Sequence, residues 1–244
     1  MEDSSHSLRI ATFNCEWRRT QSGDASLIRE RVFYSGVDIV CLTETHHDFM
    51  DDCGGYTVAS TSMLTGVGTK TRRKVLLWSR TPWCDVDTSG PPGIPEARYV
   101  AATTQTSLGA IRIVGVVIPY SFAGVQYGEV KLRPWELHIQ YLDALDASVS
   151  AEPTRTVLLG DFNQRVPRKH QPSRVFKRLE EVLISRFELA TAGALHPLRR
   201  QSIDHICVSK DLSPVEVSTI DNERPGGGLI SDHFGVRTLV KLAA

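Results

Sequence analysis

Between residues 8 and 42 the chain reads as strand, helix, strand, and that order leaves few folds open. Leu8-Arg9-Ile10-Ala11-Thr12-Phe13-Asn14 alternates apolar and polar residues, as a strand does when successive side chains face opposite ways. Residues 24–34 set Leu27, Ile28, Val32 and Phe33 on one helical stripe behind Asp24, read as the N-cap, and Gly36 stops the helix. Val37-Asp38-Ile39-Val40-Cys41-Leu42 is a second strand, running out into Thr43-Glu44-Thr45. Two strands joined by such a helix pair in parallel through a right-handed crossover, so both finish at the same sheet edge. Asn14 and Glu44 are therefore expected side by side.

Beyond this unit the pattern shortens. Candidate strands at 56–59, 74–79, 83–87, 97–104 and 111–118 are separated by turn signals at Gly66-Val67-Gly68, Thr81-Pro82, Ser89-Gly90-Pro91-Pro92-Gly93 and Leu108-Gly109, which reads as an antiparallel meander. A helix over 133–150, with Pro134 in its first turn, carries Trp135, Ile139, Leu142, Leu145 and Val149 at helical spacing. It leads into Val157-Leu158-Leu159, a strand buried on both faces, which Gly160 releases into Asp161-Phe162-Asn163. Continued alternation would put Asp161 and Asn163 on one face and turn Phe162 into the core. A helix over 173–185 and strands at 187–190, 202–208, 215–220 and 234–242 complete the chain. No repeat or linker interrupts it, so we expect a disordered tail over 1–7 and one two-sheet α/β domain over 8–244.

Composition fits one sizeable core: 244 residues, 41% hydrophobic and 23% charged. Lys and Arg number 28, as do Asp and Glu, so any attraction for a polyanion must come from a local patch. The five cysteines, Cys15, Cys41, Cys53, Cys84 and Cys207, include no C-x-x-C pair and read as free thiols of a reducing compartment. The first residues carry neither a basic nor an apolar segment, so no secretory signal is read, and no apolar run approaches the ~20 residues that span a bilayer. A cytoplasmic location without membrane or obligate protein partner is the expectation.

The polar residues that terminate or border apolar strands are Asn14, Glu44, Asp161, Asn163, Asp204, Asp232 and His233. Each alone is an ordinary turn former or exposed acid. Brought to one rim, the four carboxylates would repel one another unless a cation sat among them. Glu44, Asp232 and the amide of Asn14 are hard oxygen donors, which suit Mg²⁺ or Mn²⁺ rather than zinc.

In order, Thr12-Phe13-Asn14, Leu42-Thr43-Glu44-Thr45, Gly160-Asp161-Phe162-Asn163, Ser202-Ile203-Asp204-His205 and Ser231-Asp232-His233 resemble the endonuclease/exonuclease/phosphatase superfamily, the group of deoxyribonuclease I-like and exonuclease III-like enzymes. The resemblance covers nearly the whole chain. It implies a four-layer α/β sandwich, with two central mixed sheets flanked by helices, and metal-dependent cleavage of a phosphoester. It makes Glu44 the principal metal ligand with Asn14 nearby, and gives Asp232 a second metal position or the phosphate. His233 and Asp204 become a histidine–carboxylate pair in which Asp204 fixes the tautomer. Asp161 would orient or deprotonate the attacking water or protonate the leaving group, and Asn163 would donate to a phosphate oxygen.

One position departs from the pattern. Many nuclease members carry Tyr or His on the strand that here reads Gly115-Val116-Val117-Ile118-Pro119-Tyr120, and Val117 stands in that place. Tyr120 or Ser121 is the candidate replacement. His205 must face away from Asp204 and is read as structural. The substrate clue is the run Arg165, Arg168, Lys169, Arg174, Lys177, Arg178, which contains no acid, with Arg72-Arg73-Lys74 and Arg199-Arg200 as shorter patches. It suits a phosphodiester backbone and makes Arg165 a candidate substrate contact, so nucleic acid, DNA or RNA, is the first expectation. The alternative is another phosphoester: a phosphoinositide, a phospholipid head group or a small phosphodiester. Trp17, near Asn14, is the fair candidate for stacking. A serine hydrolase lacks any G-x-S-x-G elbow here, and a non-catalytic binding module would leave the intact set of acids unexplained.

Overall fold

In the computed structural model, β1 (Leu8–Asn14) lies parallel to β2 (Ile39–His46), Asn14 opposite Thr43, with α1 (Gly23–Phe33) as the crossover. The structure describes residues 6–34, 36–62, 70–125 and 132–244. Most of the expected tail and the Gly66-Val67-Gly68 turn lie outside them, while the carbonyl of Ser7 accepts a hydrogen bond from Ser107 Oγ. The N-cap of α1 is Ser22, not Asp24: Ser22 Oγ accepts from the Ala25 N–H, and Asp24 in the first turn is held by both Nε and Nη2 of Arg224 at 2.7 Å.

The short-strand region is divided between two sheets instead of forming one meander. β3 (Tyr56–Ala59) pairs with β4 (Arg72–Ser79), and β4 pairs with β2. After the turn at Arg80-Thr81-Pro82 the chain changes sheet, and β5 (Trp83–Asp87), β6 (Tyr99–Thr106) and β7 (Gly109–Val117) pair antiparallel in succession. Trp135 adopts φ 71°, so α2 begins late, at Glu136, and runs to Ser148. It returns the chain to β8 (Thr156–Asp161), parallel to β7. α3 (Ser173–Leu179) continues as a π-helical turn (Glu180–Ile184), followed by β9 (Phe187–Leu189), β10 (Asp204–Ser209), β11 (Leu212–Ile220) and β12 (Gly235–Leu242). The orders are β11-β12-β1-β2-β4-β3 and β5-β6-β7-β8-β10-β9.

Three apolar clusters show why this is a four-layer sandwich. Ile10, Cys41, Val75 and Leu77 of the first sheet meet Ile113, Val157, Leu159 and Ile206 of the second. The outer face of the first sheet packs Phe13, Leu42 and Leu76 on Ile28 and Val32 of α1. The outer face of the second packs Val116, Leu158 and Cys207 on Tyr141 and Leu145 of α2 and on Leu179 of α3. Strands covered on both faces need apolar residues at every position, as Val157-Leu158-Leu159 has. Cys15, Cys41 and Cys207 are buried free thiols in these layers. No helix among the described residues is long and apolar enough to cross a membrane.

Candidate active site

The two sheets share one edge, where β1 and β2 from the first meet β8 and β10 from the second. Asp161 ends β8, with Val117 of β7 on one side and Asp204 of β10 on the other. Gly160 makes this pairing possible: at φ 131° a Cβ would lie 2.1 Å from the Val116 carbonyl oxygen. Beyond Asp161 the extended alternation stops, because Asn163 turns to φ 53°. Its backbone N–H donates to Asp161 Oδ1 at 2.9 Å, and its Nδ2 donates to Asp161 Oδ2 at 3.1 Å and to Ile118 O at 2.8 Å. Asp161 and Asn163 therefore meet through a turn, while Phe162 is buried as the alternation implied.

From the first sheet, Asn14 Nδ2 reaches Asp161 Oδ2 at 3.4 Å, and Asn14 Oδ1 accepts the Glu16 N–H at 2.9 Å. Ser231 Oγ donates to Asn14 O and accepts the His233 N–H, which fixes the segment before β12. His233 Nδ1 lies 2.6 Å from Asp204 Oδ2. One ligand atom each from Asp161, Asp204 and His233 falls within a 4.8 Å group. Asp232 stands at the mouth, its side chain 66% exposed and its Oδ1 3.9 Å from His233 Nε2.

Glu44 adopts φ 48°, a conformation a non-glycine residue adopts only under local constraint. The register of β2 with β4 runs Thr43 to Val75 and Thr45 to Arg73, which sets Lys74 across from Glu44. The Glu44 carbonyl is tied to the Trp17 N–H at 2.7 Å, but its carboxylate has no hydrogen bond among the described residues.

The electrostatics follow from this crowding. Burial raises the Glu44 carboxyl above its ordinary range, against the opposing pull of Lys74 and His233. Burial and the Asp204 charge likewise raise Asp161, opposed by His233 and by the Asn163 N–H. Burial alone would lower His233, but the charge and hydrogen bond of Asp204, with Asp161 and Asp232 behind them, outweigh it and hold the imidazole up to about 10. The Asp204 contact thus favours the charged form of His233. His205 is the opposite case: burial, although Gln164 O and Thr191 flank it, lowers it to about 4, as befits a structural residue facing away from Asp204.

The donor set fits a hard divalent cation. Glu44 offers a desolvated carboxylate without a hydrogen-bond partner, one residue beyond the Thr43 that Asn14 pairs with, and Asp232 adds an exposed carboxylate at the same mouth. Asp161, Asp204 and His233 lie closer together: Asn163 and Asn14 hold Asp161, and His233 takes Asp204 Oδ2, while Asp204 Oδ1 is buried without a hydrogen-bond partner among the described residues.

Of the basic run, Arg178 is committed to Asp143 and Asp146 at 2.7 Å each and Lys177 faces Glu181 at 3.8 Å. Arg165, Arg168, Lys169 and Arg174 have no ion pair among the described residues, and Arg165 follows Asn163 by two positions. Trp17 lies under Arg72 at 5.0 Å and Lys74 at 5.7 Å. Arg200 covers the Phe234 ring, next to His233, at 5.3 Å. Tyr120 is 40% exposed in the turn after β7. Val117 is buried, and its carbonyl receives Arg98 Nη1 at 3.4 Å.

Two residues of the site were not legible in the sequence. Lys74 reads there as the end of the Arg72-Arg73-Lys74 patch, and Arg98 falls inside the candidate strand 97–104 with no role assigned to it. Only the antiparallel register that sets Lys74 against Glu44, and the bond from Arg98 to Val117 O, bring them in.

Residues 11–233 match the model of the Endonuclease/Exonuclease/phosphatase family. No curated protein sequence matches the chain. Among solved structures, the 3'-5' exonuclease from Neisseria meningitidis superposes with a TM-score of 0.67 at 21% identity, covering 95% of this chain and 98% of that one. An AP endonuclease from Archaeoglobus fulgidus gives 0.66 at 18% identity, over 97% and 100%. A humanised D. rerio TDP2 gives 0.67 at 12%, over 98% and 100%. These likenesses confirm the four-layer fold, and the match over 11–233 places the chain in the Endonuclease/Exonuclease/phosphatase family, whose members are hydrolases acting on phosphoesters.

Proposed function

We propose that this chain is a Mg²⁺-dependent phosphodiesterase that cleaves the backbone of DNA or RNA, and that Glu44, with Asn14 and Asp232, holds the metal. The observation that carries the reading is the contact of His233 Nδ1 with the buried Asp204 Oδ2 at 2.6 Å, in one group with Asp161 whose ligand atoms lie within 4.8 Å of one another. An in-line attack on an anionic phosphoester needs charge neutralisation at the phosphate and one group to handle a proton. When bound, the metal supplies Lewis-acid polarisation of a phosphate oxygen.

The chain's own groups divide the rest of the work. His233 presents a positive Nε2 to the phosphate while Asp204 fixes its ring through Nδ1. Asp161, held by Asn163 and Asn14, orients the attacking water or exchanges a proton with the reacting oxygens. Asn163 uses both Nδ2 hydrogens on Asp161 and Ile118 O, so we read it first as the residue that aims Asp161. Arg165 and its basic neighbours on one flank, and Arg72, Arg200 and Tyr120 around the mouth, would follow the backbone of a nucleic acid. The exonuclease and AP endonuclease that share the fold support this substrate class.

A panel of DNA, RNA, phosphoinositides and bis-p-nitrophenyl phosphate with added Mg²⁺ tests the proposal. Cleavage of nucleic acid that EDTA removes is the expected result. Turnover confined to phosphoinositides or other small phosphoesters would transfer the same chemistry to a different substrate.

A further inference from the structure

We propose that Lys74 and Arg98 together form the seat for the non-bridging oxygens of the substrate phosphate, a role that neither has by sequence position. The inference rests on the phosphoesterase reading of the same site.

Charge balance is the first argument. Glu44, Asp161, Asp204 and Asp232 stand around the one histidine, His233, so acids outnumber cations among these groups. Lys74, across from Glu44 in the β2–β4 register, and Arg98, bonded to the carbonyl of Val117 opposite Asp161, bring two cations to this excess of acids. Both cations act on this cluster: Glu44 and Asp161 are the acids that each of them feels.

The second argument is that their donors are uncommitted. Arg98 is 9% exposed, and its guanidinium makes one side-chain hydrogen bond among the described residues, the 3.4 Å contact with Val117 O. Lys74 makes no ion pair or side-chain hydrogen bond among the described residues and rests against the Trp17 ring at 5.7 Å. A fold that half-buries a lysine and buries an arginine beside four acids, without closing an ion pair to either, leaves N–H groups directed to something else. Burial first, then the Arg98 charge, lowers Lys74 to about 8, in keeping with two cations crowded together. An anion with several oxygens satisfies both, and a phosphate is such an anion.

The competing role for Lys74 is structural, neutralising Glu44 and supporting the β2–β4 register. The two separate on a binding measurement that does not involve turnover. Titration calorimetry of inorganic phosphate into Mg²⁺-loaded wild type, Lys74→Met and Lys74→Arg should show roughly ten- to a hundredfold weaker binding for the methionine variant, the usual worth of a charged hydrogen bond. The arginine variant should recover most of it, with thermal unfolding alike in all three. With bis-p-nitrophenyl phosphate, Lys74→Met should raise KM at least as much as it lowers kcat. Equal phosphate affinity in wild type and Lys74→Met, or no phosphate binding by the wild type, overturns the seat. Phosphate binding that depends on Lys74 in a protein that cleaves nothing in the substrate panel would instead retain the seat and overturn the nuclease reading.

Discussion

The Nδ1 of His233 lies 2.6 Å from Asp204 Oδ2, and this contact joins the first sheet to the second, since His233 precedes β12 and Asp204 opens β10. The Asp204 carboxylate is 1% exposed, so the bond is made where water screens it little. Asp204→Asn keeps the volume and removes the charge. The His233 pKa should fall from about 10 toward its ordinary value, followed by NMR titration of the ring, and kcat should drop on the order of 10²–10⁴. An unchanged titration would show that Asp204 does not set the imidazole.

Activity should follow two titrations. Asp161 is raised above the ordinary carboxylate range by burial and by Asp204, so a rate that needs its charged form climbs with pH later than a free carboxyl would allow. His233 is held up to about 10, so a rate that needs its cation declines only as pH approaches that value. The pH profile of kcat/KM should therefore be a bell displaced to the alkaline side. Asp161→Asn should remove the rising limb along with most of the rate, and a rising limb that survives in the residual activity would remove Asp161 from proton handling.

Two buried neutral histidines should make the fold acid-sensitive. His138 donates from Nδ1 to Pro119 O at 2.6 Å and accepts from Gln164 Nε2 at 2.8 Å, and His205 is bonded between Thr191 and Gln164 O. Burial lowers both to about 4. Below pH 6.5 the unfolded chain takes up protons that the folded one refuses, so stability falls as pH drops from 6.5 toward 4, by roughly 1.4 kcal/mol per unit for each group. Urea unfolding at pH 7 and pH 5 measures this. His138→Gln should show a smaller difference between the two pH values than wild type, and an identical difference would contradict the assignment.

Gly160→Ala should be among the most damaging single substitutions outside the catalytic groups. Its Cβ would lie 2.1 Å from the Val116 carbonyl, in the central strand pair that delivers Asp161. A loss of about 3 kcal/mol or more is expected, with Asp161 displaced. A variant as stable and as active as wild type would contradict the close approach of Gly160 to the Val116 carbonyl.

The sequence made the layers legible for a physical reason. Strands covered on both faces must be apolar, so 157–159 and 39–42 stand out, and the helix between β1 and β2 leaves only a parallel pairing. The acids and amides at strand ends were legible because a turn after a buried strand is where polar groups can surface. What could not be read was register between distant strands. The division of β3 to β7 between two sheets turns on a change of direction at Arg80-Thr81-Pro82 that no periodicity marks, and it is the β2–β4 register that brings Lys74 to Glu44. Arg178 was misleading for a related reason: its partners Asp143 and Asp146 lie on a helix more than thirty residues earlier.

The most direct test is the Mg²⁺ dependence of phosphodiester cleavage in wild type and Glu44→Gln, read in one assay with bis-p-nitrophenyl phosphate and a DNA duplex. Wild type should show saturable activation that EDTA abolishes and added Mg²⁺ restores. In Glu44→Gln the rate should be lower on the order of 10²-fold or more, with weakened metal activation and an unfolding curve like that of wild type. Equal rates with and without EDTA, or a Glu44→Gln variant as active as wild type, would contradict Mg²⁺-dependent cleavage through Glu44.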